Sequence, residues 1–179
     1  MQRHKPPVPL LRPREVVVAC VPLKSNVNVS AIARTCSCLQ VRQLVCCGTA
    51  KLLNKVARDA VLLQDSAKDN KSGDAEGSAS SGSWFKVVNT LRHPLLRFKE
   101  EGYEVVGLEQ TAASTSLYDF RFARKTVLVI GSENKGIPPD ILAVCDRVVE
   151  IPLNGPPHSL NVASAAAIGL YEYCRQHPS

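Results

Sequence analysis

Three stretches of this chain, VVVACV at 16–21, QLVCC at 43–47 and TVLVIG at 126–131, are apolar without alternation. A strand with one face in water alternates polar and apolar residues. One that is apolar on both sides belongs to a sheet covered on both faces, as parallel sheets are. Two shorter runs, WFKVV at 84–88 and YEVVGLE at 103–109, have strand composition, and RVVEIPL closes the series. Between them the periodicity is helical. A helix is expected over 30–39 with Ser30 as its N-cap, and another over 51–64, where Leu52, Val56, Ala60 and Leu63 recur at helical spacing. NTLRHPLLRFKEEG contains a third, Pro138 and Pro139 can open a short fourth because an N1 proline loses no helical hydrogen bond, and 159–176 forms the last. Strands alternating with helices predict an α/β fold, a mostly parallel sheet with helices on both faces. Ligands bind such sheets at the carboxyl ends of the strands, so chemistry is expected in the loops after Glu109, Gly131 and Leu153.

At 179 residues the chain suits one domain. Its expected limits are 15–177, preceded by a basic, proline-rich arm at 1–14. The segment 66–83, SAKDNKSGDAEGSASSGS, lacks large apolar residues and reads as a disordered surface insertion, because the strand and helix rhythm resumes after it. No apolar run approaches the roughly 18 residues needed to span a bilayer. The N-terminus lacks the apolar stretch and cleavage site of a secretory signal, so the chain reads as soluble and not secreted, cytoplasmic first, with a nuclear or organellar place as the alternatives. Seven cysteines, with Cys36, Cys38, Cys46 and Cys47 close together but no C-x-x-C pair, leave two readings: a metal or redox site, or reduced thiols packed as small apolar residues. A net charge of +6 makes a polyanionic partner plausible without demonstrating one.

The loop GSENKGIP after the 126–131 strand has glycines at 131 and 136, which allow backbone geometry that side chains forbid. It is not a phosphate-binding P-loop, because Lys135 precedes the second glycine and Ile137 follows it. A dinucleotide fingerprint follows none of the strands either. Glu133 reads equally as a solvated turn residue or a site carboxylate. In NVNVSAIARTCSCL, an arginine one turn into a helix faces the unfavourable end of the helix dipole. Arg34 therefore either meets an anion such as a phosphate or pairs with a carboxylate, Glu133 among them. Ser159 is a natural N-cap, and Asn161 either faces solvent or serves the site.

Taken in order, NVNVSAIARTC, LVIGSENKGIP and VEIPLNGPPHSLNVASAAAIGLYEY resemble the three motifs of the SpoU branch of the SPOUT methyltransferases. The resemblance runs from about residue 16 to residue 175, and the form of the first motif is most similar to the tRNA guanosine-18 2′-O-methyltransferase group. It implies methyl transfer from S-adenosylmethionine to a ribose 2′-OH of RNA, with tRNA as first substrate and rRNA as the alternative. It also implies a deep trefoil knot in the C-terminal part of the sheet, a feature otherwise nearly absent from proteins, and a homodimer with the active site completed near the partner subunit. No metal is implied. Matched position by position, Asn28 and Arg34 belong to the first motif, Glu133 to the second, and Ser159 and Asn161 to the third. Leu108, Glu109, Gly131, Ile151, Leu160 and Ser159 match cofactor-binding positions. Arg34 is expected to grip an RNA phosphate and orient the hydroxyl, with Asn28 and Glu133 fixing Arg34 and the loops. Ser159 and Asn161 would shape the pocket. A rival from another class is a cofactor-binding RNA-interaction module of a larger protein.

Overall fold

The computed structural model describes residue 8 and residues 10–48, 84–156 and 159–178. The helix expected over 51–64 and the insertion at 66–83 lie outside them. The strands are β1 (Val16–Cys20), β2 (Gln43–Cys47), β3 (Phe85–Val88), β4 (Glu104–Leu108), β5 (Thr115–Ser116), β6 (Thr126–Ile130) and β7 (Arg147–Glu150). The described helices are α1 (Asn26–Cys38), α2 (Arg92–Glu100), α3 (Pro139–Leu142) and α4 (Val162–Gln176). They form one α/β unit around a seven-stranded sheet in the order β3-β2-β1-β6-β4-β7-β5. Every strand pair is parallel.

The unbroken apolar runs are explained by two cores, one on each face. Val16, Val18 and Cys20 point to the side covered by α1 and α4, where Ile32, Cys36, Leu170 and Tyr173 are buried. Val17 and Ala19 point to the other side, with Leu95 of α2 and Ile141 of α3. β6 enters the sheet late in the sequence yet lies between β1 and β4, in register with both. Alternate side chains of the same five residues thus serve two cores.

Two helix starts differ from the sequence expectation. α1 begins at Asn26 with Ser25 as N-cap, its Oγ accepting from the Asn28 N–H at 3.4 Å. Ser30 is inside the helix, and Arg34 is therefore its ninth residue, beyond the positive end of the dipole. The last helix begins at Val162 and is capped by Asn161, whose Oδ1 accepts from the Ala163 N–H at 2.9 Å. Ser159 lies outside the helix. Pro139 opens α3 as expected.

α4 approaches the sheet through Gly169, where a Cβ would come within 3.2 Å of Leu108 and 3.3 Å of Leu128. Cys20, Cys36 and Cys46 are buried together in the α1/α4 core. A hydrogen bond with Cys46, then burial, pushes the Cys20 thiol up, and burial does the same for Cys36. All three pack as small apolar groups, and among the described residues no group of three side chains is placed to hold a metal. Among those residues, too, no helix is long and apolar enough to cross a membrane.

Candidate active site

A cavity of about 430 Å³ opens at the carboxyl ends of β4, β6 and β7. It lies where an open parallel sheet presents its loops to a ligand. Its walls include Leu108, Glu109, Gly131, Ile151, Ser159 and Leu160, six residues drawn from three distant parts of the chain.

The loop after β6 is a tight closure. Ser132 and Gly136 exchange two backbone hydrogen bonds, 2.9 and 3.1 Å, and Gly136 adopts φ of +64°, the left-handed region that favours glycine. A Cβ on Gly131 would come 2.7 Å from the Gly136 carbonyl carbon, and one on Gly136 would strike the Glu109 carboxylate. That carboxylate is anchored from below: its Oε2 accepts from the Ile137 N–H at 2.8 Å and its Oε1 from the Gln110 N–H at 3.1 Å. The loops after β4 and β6 are thereby tied to one another.

Glu133 is not a solvated turn residue. It accepts from the Lys24 N–H at 3.1 Å, the Ser25 N–H at 3.1 Å and the Asn28 Nδ2 at 2.9 Å. Asn28 in turn accepts at Oδ1 from the Asn161 Nδ2, 3.1 Å away. One chain of hydrogen bonds, Asn161 to Asn28 to Glu133, therefore joins the cap of α4, the first turn of α1 and the loop after β6. Burial opposes the charge on Glu133, but the Asn28 amide and the backbone N–H groups outweigh it and hold the carboxyl down to about 2. Its contribution to stability is present above the ordinary value of 4.5 and is lost as pH falls toward 2. Glu133→Gln is expected to lower the thermal midpoint at pH 7, with the gap to the parent closing as the pH is taken below 4.5. Melting curves across that range measure it.

Arg34 is placed elsewhere. It is exposed, makes no ion pair with Glu133 or any other carboxylate among the described residues, and does not line the cavity. Six residues at 100° each put it about 120° around α1 from Asn28, on the outer face shared with Val27, Ala31 and Cys38, all exposed. Asn28 and Glu133 thus hold the loops, and the expectation that they also fix Arg34 is corrected. Ser159 reaches the cavity as an exposed residue of the preceding loop. Capping and pocket-lining are divided between Asn161 and Ser159, so Asn161→Ala should cost about 1 kcal/mol in denaturant unfolding and Ser159→Ala close to nothing.

Sequence reasoning did not single out Glu150, another cavity carboxylate, whose Oε2 accepts from the Ser114 Oγ at 3.0 Å. Ser114 lies in the turn before β5, a two-residue strand too short to leave a periodic signal. Among the described residues, Glu109, Glu133 and Glu150 line the cavity with Lys135 as the one Lys or Arg in its walls. Such a lining favours a ligand that carries positive charge.

Among relatives, a tRNA (guanosine(18)-2′-O)-methyltransferase of Aquifex aeolicus is 29% identical over 168 residues, covering 92% of this chain and 71% of that one. The tRNA (guanosine(18)-2′-O)-methyltransferase TARBP1 of Mus musculus is 40% identical over 103 residues, 55% of this chain. The chain spans about 6% of the mouse relative's length. A crystal structure of the Aquifex aeolicus TrmH/SpoU tRNA modifying enzyme superposes with a TM-score of 0.69 at 28% identity, covering 93% of this chain and 77% of that one. The SpoU methyltransferase AviRb of Streptomyces viridochromogenes, solved with AdoMet, shares the fold with a TM-score of 0.71 at 23% identity, over 94% of this chain and 60% of that one. The SpoU rRNA Methylase family model matches residues 15–171. The sheet, the cavity at its carboxyl edge and the three tethered motifs are those of a chain that belongs to the SpoU rRNA methylase family.

Proposed function

We propose that the chain transfers a methyl group from S-adenosylmethionine to a ribose 2′-OH of RNA, with tRNA as the substrate and guanosine 18 as its first candidate. The observation that carries this reading is the cavity. All six residues matched to cofactor-binding positions line it. Its volume lies within the about 300–1,000 Å³ common to small-molecule sites. Three carboxylates against one lysine among its described residues suit a sulfonium. Substrate choice is supported by the two guanosine-18 relatives.

S-adenosylmethionine supplies a methyl group on a positively charged sulfur, a good leaving group, so the remaining requirement is alignment of the hydroxyl with that methyl. The walls from Gly131, Ile151 and Leu160 hold the cofactor, and the tie between Glu109 and Ile137 keeps two of its loops at fixed separation. Arg34 grips a phosphate of the RNA and orients the ribose. A guanidinium stays protonated and takes no proton, so the role is positional. The sheet's C-terminal part carries the family's knot, which holds these loops together.

Arg34 on the outer face of α1 implies that it serves the cavity of a partner subunit in a homodimer. A stripe on α4 supports this: Ser164, Ile168, Tyr171 and Arg175 are exposed at helical spacing, and Ile168 and Tyr171 are 40% and 67% exposed. Ile168 and Tyr171, together with Cys38, Leu39, Leu117 and Tyr118, line an apolar groove of about 570 Å³. Ile168→Glu/Tyr171→Glu should run as a monomer in sedimentation and lose methyl transfer while still binding S-adenosylhomocysteine.

Methyl transfer to a tRNA transcript, followed by digestion to nucleosides and mass spectrometry, tests the reaction. The expected product is 2′-O-methylguanosine; a methylated base overturns the reading. The small share of the mouse relative that this chain spans favours a second reading, a module whose activity needs the rest of a longer protein. Calorimetric binding of S-adenosylhomocysteine without transfer to any RNA would support it.

A further inference from the structure

The opposite end of the sheet, where the strands begin, is rich in arginine. Arg14 lies just before β1, Arg42 immediately before β2, and Arg124 and Lys125 before β6. β2, β1 and β6 are neighbours. At about 4.8 Å per strand, their cations emerge within about 10 Å of one another. Arg12 joins them from the segment that leads into β1. An open groove of about 680 Å³ is lined by Arg12, Arg14, Glu15, Gln40, Arg42 and Arg124, among others, so four guanidiniums face a single carboxylate.

Helices end at this pole, and their last carbonyls attract cations. That accounts for part of the cluster. Arg14 Nη1 donates to the His177 carbonyl at 2.9 Å and Lys125 Nζ to the Glu101 carbonyl at 3.1 Å, each just past a helix end. Arg124 pairs with Glu15 at 3.0 Å. The side chains of Arg12 and Arg42 make no hydrogen bond or ion pair among the described residues; the Arg42 guanidinium lies over the Tyr103 ring, 6.0 Å from its centroid. The Arg14 Nε is buried and also lacks a partner there. Like charges gathered this closely repel unless an anion is shared, and the planar fork of arginine matches phosphate oxygens.

We propose that this groove is a second phosphate-binding site, holding the RNA backbone at the pole opposite the methyl-transfer cavity. It rests on the reading of the chain as an RNA methyltransferase. The five residues of a strand separate the two ends by about 17 Å. A phosphate in the groove therefore belongs to a different part of a folded RNA than the nucleotide being modified. The site selects for structured substrates large enough to reach both ends.

The test measures binding of the whole chain to a full-length tRNA transcript and to a short stem-loop carrying only the modified nucleotide and its neighbours, across a salt series. For Arg12→Gln/Arg42→Gln, affinity for the tRNA should fall at least about tenfold and the slope of log K against log salt should flatten by about 1.4–1.8, two phosphate contacts' worth. Stem-loop affinity and S-adenosylhomocysteine binding should stay at the parental values. Lys86→Gln/Arg92→Gln, which removes the same charge from exposed positions elsewhere, should leave the slope unchanged. If the groove variant and the parent bind tRNA alike, as they would were the groove built for an acidic protein segment, the proposal is overturned. Equal losses in the control variant overturn it too. A parent that binds no RNA removes the functional reading along with it, whereas a parent that methylates tRNA beside an unaffected variant sinks the groove alone.

Discussion

Arg34→Ala is expected to bind S-adenosylhomocysteine as the parent does and to transfer methyl groups roughly a hundredfold more slowly, a loss of about 2.7 kcal/mol in transition-state stabilisation. The side chain is exposed and unpaired among the described residues and lines no part of the cavity, so its removal should disturb neither folding nor the cofactor. Arg34→Lys keeps a point charge but loses the two-pronged grip, and an intermediate rate is expected. Mixing subunits shows whose cavity it serves. Arg34→Ala subunits combined one to one with Gly136→Val subunits should regain about a quarter of parental activity if the arginine crosses to its partner, because half the dimers then contain one complete site. A mixture as inactive as its components would place Arg34 in its own subunit's site. A single variant that methylates at the parental rate would remove the assignment altogether.

The second large effect concerns Gly136. A valine there must take φ of +64°, which costs an L residue about 1–2 kcal/mol, and its Cβ must displace the Glu109 carboxylate, an overpacking cost of about 1–3 kcal/mol. Gly136→Val should lose about 2–5 kcal/mol in urea unfolding and lose measurable cofactor binding, because the displaced carboxylate releases the Ile137 N–H and unties two cavity loops. The same position with Glu109→Ala should recover the overpacking part but not the backbone part. A double-mutant cycle whose coupling is near zero would mean the carboxylate moves aside freely.

The strands were legible because burial on both faces leaves an unalternated apolar run, and β1, β2 and β6 fall within a residue of their expected limits. Helix starts were less so. Val29, Ile32, Ala33 and Cys36 are the buried face of α1, a spacing that begins before Ser30 and points back to Ser25. Locally the start reads as Ser30, because Asn26, Val27 and Asn28 are weak helix formers. At α4, Ser159 and Asn161 are both good caps, and only the path of the preceding loop decides between them. The order of the strands leaves no mark on local periodicity, since β6 is placed between β1 and β4 by contacts across the chain. Arg34 shows the opposite limit. Its motif is visible, but its place relative to Asn28 depends on where the helix starts, and the N-cap lies five residues earlier, at Ser25 rather than Ser30.

The hydrogen bonds from Asn161 to Asn28 and from Asn28 to Glu133 join residues 133 and 105 positions apart. Contacts over such separations form only after the intervening chain has closed, and α4 is the last described element along the chain. A chain halted before α4 can pair β1 with β6 yet lacks the residue that anchors the relay. Ser159, Leu160, Val162 and Ala165 also line the cavity, so on the proposed function cofactor binding is expected of the finished fold alone. A ligand at a hundred times its Kd would add about 2.7 kcal/mol to that state and nothing to its precursors, making saturation with cofactor a direct gauge of how much of the chain has completed folding.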